Sequence, residues 1–408
     1  MFNYTDGGVT APKGFQAAGL AAGLKKNGNL DMALVYSEVP CVAAGTFTTN
    51  VAKAAPVKWD YHVTRELKSA QAVVVNTAVA NASTGEEGYR CCVDMAEKVG
   101  SLMNIPAEKV LVASTGVIGR QLPMDKIKAG IENLVPILGS TREHASNASK
   151  AIMTTDTKNK EVSLTTTIGG KTVTFGGMCK GSGMIHPNMA TMLCFIMTDA
   201  AISNNMLQKA LSAEVEETFN MISVDGDTST NDSVLLMANG LAENPEITEE
   251  NEDYRLFCEA LHGIMIVLTR KIAGDGEGCT CLFEVQVKNA DTKAHAKTLA
   301  KSVVMSNLTK AAIFGHDANW GRIICALGYS GVNFDPENVD IYFKSSAGLL
   351  KICENGVDTG YSEEKATEIL SQEEVIAICD MKMGACDATA YGCDLTYDYV
   401  KINGDYRS

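Results

Sequence analysis

Short apolar runs set between glycine- and asparagine-rich turns constrain this chain more than any other feature. Residues 33–36 (Ala-Leu-Val-Tyr), 72–75 (Ala-Val-Val-Val), 110–113 (Val-Leu-Val-Ala), 192–197 and 282–287 are such runs. Segments this short and this apolar read as buried strands, because a core helix needs a longer periodic stretch. Residues 341–343 and the partly alternating residues 395–402 read as further strands. Helical spacing falls between them. Ser203 is placed to cap a segment whose apolar positions are Met206, Leu207, Ala210, Leu211, Val215, Phe219 and Ile222, three and four apart. Residues 296–308 and 362–370 carry helical patterns as well. Strands and helices mixed along the whole chain predict an α/β or α+β body with a layered core. At 408 residues, 46% hydrophobic and 21% charged, the chain is long enough for one large body of this kind or two to three average domains. Residues 243–253 hold six carboxylates and no base, and read as a solvated loop or a capped helix start.

Charge and cysteine usage remove several functions. Lys and Arg number 35 against 49 Asp and Glu, a formal charge of −14. An acidic surface repels phosphate backbones, so no nucleic-acid partner is expected. The start, Met1-Phe2-Asn3-Tyr4-Thr5-Asp6, lacks the basic and apolar parts of a secretory leader, and no apolar run reaches the length of a membrane span. The expectation is a cytoplasmic protein without a membrane partner. The 13 cysteines include no Cys-x-x-Cys pair; Cys279-x-Cys281 and Cys91-Cys92 are the tight pairs, with no His at ligand spacing. Cys194, Cys325 and Cys379 stand in apolar company, where a reduced thiol packs as a small hydrophobe. No metal site is expected.

Three stretches can carry chemistry. In Lys180-Gly-Ser-Gly-Met-Ile-His-Pro-Asn-Met-Ala-Thr191, Thr191 stands behind the small residue Ala190, between a turn and a strand. A threonine hydroxyl there can attack the preceding carbonyl and cut its own peptide bond, given strain that Gly181, Gly183 and Pro187 permit. The new α-amino group, with a reference pKa near ~8, can then deprotonate the neighbouring hydroxyl. The plainer reading is a glycine turn leading into a buried strand. Second, Thr115-Gly116 follows the strand at 110–113, and a hydroxyl with a backbone N–H can form an oxyanion hole; a capped strand-to-helix turn is the alternative. Third, Gly274-Asp275-Gly276-Glu277-Gly278 projects Glu277 from a glycine-rich turn. It lacks the Lys-Ser/Thr of a phosphate loop, so its carboxylate suits a cation, and a hairpin is the alternative. Lys180 can orient a carboxylate. His186 has no orienting acid at an obvious distance, and His316 reads as part of a turn near Trp320 and Arg322.

Taken together, these residues give the chain a resemblance to the ornithine acetyltransferase family, the glutamate N-acetyltransferases of arginine biosynthesis. The resemblance runs nearly end to end. It rests on Gly8-Val-Thr-Ala-Pro-Lys-Gly-Phe15, Thr154-Thr-Asp-Thr157, the stretch from Lys180 to Thr191, Ser223-Val-Asp-Gly-Asp-Thr-Ser-Thr-Asn-Asp232, Asn319-Trp-Gly-Arg322 and Asn403-Gly-Asp-Tyr-Arg-Ser408. It implies self-cleavage between Ala190 and Thr191 into an alpha chain, residues 1–190, and a beta chain, residues 191–408, forming one intertwined unit. It implies Thr191 as the acetyl-accepting nucleophile and Thr115 with Gly116 as the oxyanion hole. Substrate contacts would come from Thr154, Lys180, Thr191, Glu277, Asn403 and Ser408. The implied fold layers β-sheets between helices. The implied substrates are N2-acetyl-L-ornithine and L-glutamate, with no cofactor, in a heterotetramer of two alpha and two beta chains. Whether acetyl-CoA also donates stays open. So do two other readings, a self-processing aminopeptidase or amidase using water, and a non-catalytic binding protein. The chain departs from the family at Asn76-Thr-Ala-Val-Ala-Asn-Ala-Ser-Thr-Gly85, where Asn-Ser-Gly-Asn-Ala-Asn-Ala-Cys-Thr-Gly is common. It also departs at His316, where an acid is usual, and at Ser408, where Thr is common.

Overall fold

The structure is a computed structural model that describes residues 2–186 and 192–405. In its first part run strands β1 (Phe2–Thr5), β2 (Phe15–Leu20), β3 (Met32–Phe47), β4 (Ser69–Asn76), β5 (Val110–Ser114), β6 (Lys160–Ile168) and β7 (Lys171–Lys180). Helices α1 (Ala55–Tyr61), α2 (Gly85–Met103), α3 (Met124–Leu134) and α4 (Arg142–Ala151) fall between them. After residue 191 come β8 (Leu193–Thr198), α5 (Asn204–Glu217), β9 (Ile222–Ser223), β10 (Ser233–Ala238) and α6 (Glu252–Ala273). The remainder holds β11 (Leu282–Ala290), α7 (Lys293–Met305), α8 (Asn307–Phe314), α9 (Trp320–Gly328), β12 (Asp340–Ser345) and β13 (Gly348–Glu354). It ends with β14 (Val357–Asp358), α10 (Glu363–Leu370), β15 (Glu374–Asp380), β16 (Cys386–Cys393) and α11 (Tyr397–Asp405).

Among the described residues the strands form two mixed sheets. The first is ordered β1-β6-β7-β8-β10-β3-β4-β5, with β2 also on β3. Its centre is built from both parts of the chain: β8 and β10, parallel to each other, lie between β7 and β3. The second sheet, β14-β13-β12-β15-β11-β16-β9, comes wholly from residues after 191. Helices α1 to α4 cover one face of the first sheet around Val73, Leu111, Met95 and Ile131. On the other side, α6 packs against β6 and β7 of the first sheet and β16 of the second, with α5 beside it. Tyr254, Phe257, Leu261, Ile264, Met265, Leu268 and Ile272 of α6 are all buried, as expected of a helix with sheet on both sides. Helix α7 packs on β11 and β16. The mixed, layered α/β class is what the pattern predicts.

The apolar runs at 33–36, 72–75, 110–113, 192–197, 282–287 and 341–343 fall within strands, apart from Met192 at the lip of β8. Residues 395–402 do not. They enter α11, because the Thr396 hydroxyl accepts the Tyr399 N–H at 3.2 Å and starts a helix that weak alternation had suggested as a strand. The pattern at 296–308 is broken at Ser306, whose hydroxyl accepts the Thr309 N–H and opens α8. Ser203 is the N-cap of α5, yet its side chain makes no capping bond, and the helix stops at Glu217: Phe219 lies in a short 3-10 turn and Ile222 in β9. Ser362 does cap α10, through Lys365 N–H. In the acidic stretch Asn251 caps α6. Residues 274–278 connect α6 to β11 and are not a hairpin. Cys325, expected in apolar company, is exposed on α9, whereas Cys194 and Cys379 are buried. No helix among the described residues is long and apolar enough to cross a membrane.

Candidate active site

A cavity of about 300 Å³ is walled by Thr115, Gly116, Thr154, Lys180, Gly183, Met192, Thr230, Asn231, Asp232, Glu277 and Asn403, among others. Sheet register explains part of the gathering. Lys180 at the end of β7 pairs with Leu193, and Leu193 pairs with Ser233, so strand ends from both sides of residue 191 stand abreast. Asn231 then ties in the loop after β5, its side-chain amide donating to Ser114 O (2.8 Å) and Ala80 O (2.5 Å).

That loop presents Gly116. Its φ of +130° is open to glycine, and a Cβ there would strike the backbone of Ala78. The flanking amides are engaged: Thr115 N–H donates to Asn76 O and Val117 N–H to Ala78 O, both at 3.1 Å. The Gly116 N–H between them has no partner among the described residues, which leaves it available to a ligand oxygen.

Opposite charges hold the cavity's other wall. Lys160, 1% exposed, donates to Asp156 at 2.7 Å and to Asp275 at 2.5 Å. Asp156 also accepts from Gly181 N–H (2.7 Å) and Thr154 N–H (3.0 Å). Asp275 accepts the N–H and hydroxyl of Thr157, and its own carbonyl accepts Ser182 Oγ at 2.7 Å. Three loops and a strand end are thereby fixed to one ion cluster. Burial, the largest influence on Asp156, would raise its pKa, but Lys180, Lys160 and the Gly181 N–H outweigh it and hold the pKa at about 2. Burial pushes the Lys180 pKa down, with Asp156 acting against it.

Glu277 faces Lys180 across this wall. Its backbone N–H donates to Ser182 O at 3.0 Å, and its carboxylate accepts the Asn403 side-chain amide at 2.8 Å. Gly183 makes room for it, since a Cβ at Gly183 would collide with the Glu277 carboxyl. The segment leading to residue 187 is also secured. Asp225 accepts from Met184 N–H (2.7 Å) and Ile185 N–H (2.8 Å), and Thr228 Oγ1 donates to His186 O (2.8 Å). On the far side, Ser233 N–H donates to Met192 O at 2.9 Å.

Comparison with known proteins decides the family. The ArgJ family model matches residues 16–408. The chain belongs to the ArgJ family. It is 51% identical over 398 residues to the arginine biosynthesis bifunctional protein ArgJ of Thermotoga neapolitana, covering 97% of this chain and 99% of that one. With the protein of the same name from Symbiobacterium thermophilum it shares 52% over 404 residues, 98% of this chain and 99% of that one. The crystal structure of arginine biosynthesis bifunctional protein ArgJ from Bacillus halodurans is similar at a TM-score of 0.50 and 48% identity. It covers 52% of this chain and 98% of its own.

Of the residues singled out in the sequence, this ArgJ-family fold brings Thr115, Gly116, Thr154, Lys180, Glu277 and Asn403 to one cavity. Ala190, Thr191 and Ser408 lie outside the described residues. His186 contacts Ser223 Oγ at 3.2 Å, and burial, followed by Lys301, lowers its pKa to about 4. His316 sits in an exposed turn with φ +52° after α8, N–H bonded to Ile313 O. Asp156, Lys160, Asp275, Asn231 and Asp225 had no assigned role. Asp156, Asp225 and Asn231 belong to recognised motifs and Asp275 to the glycine-rich turn, so a signal existed for four of the five. Among the described residues, no group of three or more His, Cys, Asp or Glu is placed to hold a metal ion.

Proposed function

We propose that this chain cuts itself between Ala190 and Thr191 and then carries acetyl groups on Thr191 from N2-acetyl-L-ornithine to L-glutamate. As an ArgJ-family member it is an acyltransferase of arginine biosynthesis, and the reading assigns that chemistry to the cavity. The observation that carries it is one buried cation and one partly buried carboxylate, Lys180 and Glu277, in a cavity that also holds an unengaged backbone N–H at Gly116. A substrate with a carboxylate at one end, an ammonium at the other and a reacting carbonyl needs that set. Lys180 takes the carboxylate, while Glu277, set by Asn403, takes the δ-ammonium together with the Ser408 carboxylate. Thr154 lines the same binding cavity.

The reaction then runs in two halves. The Thr191 amine removes its own hydroxyl proton, and Oγ adds to the acetyl carbonyl. The Gly116 N–H and Thr115 hydroxyl stabilise the oxyanion, a contribution of about 3 kcal/mol per donor in comparable sites. Ornithine leaves with the proton, and the glutamate amine repeats the steps in reverse. Met192, the residue after Thr191, lines the cavity, which supports the nucleophile assignment. The Bacillus halodurans chain, matched over nearly all its length yet spanning about half of this one, has the extent expected of a severed half. The relatives' name, bifunctional, supports a second donor such as acetyl-CoA. The proposal includes a cytoplasmic assembly of two pieces of each kind.

Intact-mass spectrometry tests this directly. The purified protein is expected as two pieces meeting at residues 190 and 191, the C-terminal one heavier by one acetyl group after acetylornithine. Thr191→Ala is expected as one uncut chain without acetyl; a normally cleaved variant overturns the assignment.

A further inference from the structure

Lys310, at the start of α8, is 2% exposed, and among the described residues it makes no ion pair. Its ammonium donates instead to Cys393, to the carbonyl at 2.7 Å and to the sulfur at 3.7 Å. A buried cation demands a counter-charge, and the titratable group in contact with it is that thiol. Cys393, also 2% exposed, ends β16, directly beneath the turn that carries Glu277. A Cβ on Gly276 would come within 2.7 Å of its sulfur. Cys279 closes the same turn: its N–H donates to Gly276 O at 3.0 Å and its thiol to Gly274 O at 3.6 Å. Asp394 holds the two cysteine-bearing segments together, accepting Thr280 N–H at 2.8 Å and Thr280 Oγ1 at 2.6 Å. The Cys279 S–H that reaches Gly274 O can turn instead to the Cys393 sulfur beneath the same turn. That bond, ahead of an opposing burial effect and aided by Lys310, lowers the Cys393 pKa, while the bond to Cys393 raises that of the partly exposed Cys279. One sulfur beside a cation, with a protonated neighbour in contact, is the arrangement of a reactive thiol with its resolving partner.

We propose that Cys393 and Cys279 form a modification site for hydrogen peroxide, closing to a disulfide that displaces the Glu277 turn. The Cys393 thiolate attacks one peroxide oxygen, the O–O bond breaks, and hydroxide leaves, taking a proton to become water; Cys393 is now a sulfenic acid. The Cys279 sulfur then attacks Cys393 sulfur, the S–O bond breaks, and a second water leaves with the Cys279 proton. Two thiols are oxidised and one peroxide is reduced to two waters. A disulfide holds its sulfurs about 2 Å apart, so closure pulls Cys279, and with it Gly276 and Glu277, toward β16. The effect on the substrate rests on the cationic-end role given to Glu277 above; the chemistry at sulfur does not.

The experiment treats the whole purified protein with a small excess of hydrogen peroxide, blocks remaining thiols under denaturing conditions and maps peptides by mass. The expected result is a Cys279–Cys393 cross-link, removed by dithiothreitol, with KM for acetylornithine raised about tenfold and kcat changed less. Cys279→Ser is expected to retain ordinary activity and to accumulate a sulfenic acid on Cys393 that dimedone captures. Both thiols fully alkylated, at a dose that has already oxidised the exposed Cys325, overturns the site. A cross-link with unchanged KM overturns its coupling to Glu277. Loss of acetyl transfer in the untreated protein counts against the transferase reading alone, since the mass map still reads the thiols.

Discussion

Ala78 has φ +73°, a left-handed conformation that costs a residue with a Cβ about 1–2 kcal/mol. Its carbonyl accepts Val117 N–H, and its backbone lies against Gly116. It stands where the family pattern Asn-Ser-Gly-Asn has glycine, so the departure noted in residues 76–85 has a physical consequence. The segment keeps the conformation and bears the strain, with Asn81 and Ser83 also at positive φ. Ala78→Gly removes that cost but loosens the unfolded chain, by about 0.5–1 kcal/mol. The expected net gain in unfolding free energy is about 0.5–1 kcal/mol, measured by urea titration; a loss would show that the Ala78 methyl packs better than its backbone suggests. This position also marks what residue types can and cannot convey. The Thr115-Gly116 pair was legible as an oxyanion candidate because hydroxyl and glycine follow a strand. The need for glycine against Ala78 was not, because the two residues are adjacent only after β4 and β5 pair.

At the scale of elements, the ion cluster does the work of a fastener between the loop before β6, the end of β7 and the turn after α6. Replacing Lys160 by Met leaves Asp156 and Asp275 buried with no cation between them, and breaking such a pair typically costs about 3–5 kcal/mol. The pH dependence has a definite sign. In the native protein Asp156, held at about 2 against an ordinary 3.8, contributes stability present above pH ~4 and lost as pH falls toward 2. In Lys160→Met the two carboxylates repel, the Asp156 pKa is no longer held down by Lys160, and its protonation relieves the molecule as pH falls. Urea unfolding from pH 7 to pH 4 is therefore expected to show the gap between the two proteins narrowing; a constant gap refutes the account. The elements themselves were largely readable: buried runs gave β4, β5 and β11, and spacing gave most of α5. What failed turned on single side chains. Thr396 makes 395–402 helical and Ser306 divides a continuous apolar pattern, each through one hydrogen bond that periodicity does not record. Asp156 and Asp275 each lie in a stretch that the sequence marks, but their pairing was unreadable for another reason. Asp156 in a threonine-rich loop and Asp275 in a glycine-rich one look solvated until Lys160 is brought between them.

The whole molecule is organised around two strands, β8 and β10, that follow residue 191 and lie inside a sheet whose other strands precede it. Their neighbours β7 and β3 hydrogen-bond to them along their full length. Once the bond between Ala190 and Thr191 is cut, the two pieces are expected to stay together through gel filtration in high salt and to separate only in denaturant, read by size and mass. Dissociation in salt alone would mean the interleaving contributes little. Refolding draws out the rest. In the uncut chain, β8 reaches its slot as a tethered neighbour of β7, at an effective concentration no free fragment matches. A severed molecule that melts must reassemble from two partners meeting by diffusion, one carrying seven strands of an unfinished sheet and the other the two that complete it. Cut as proposed, such a protein would be a spring wound once: the scission that arms it would also discard the instructions for rewinding, and its working life would end at its first complete unfolding.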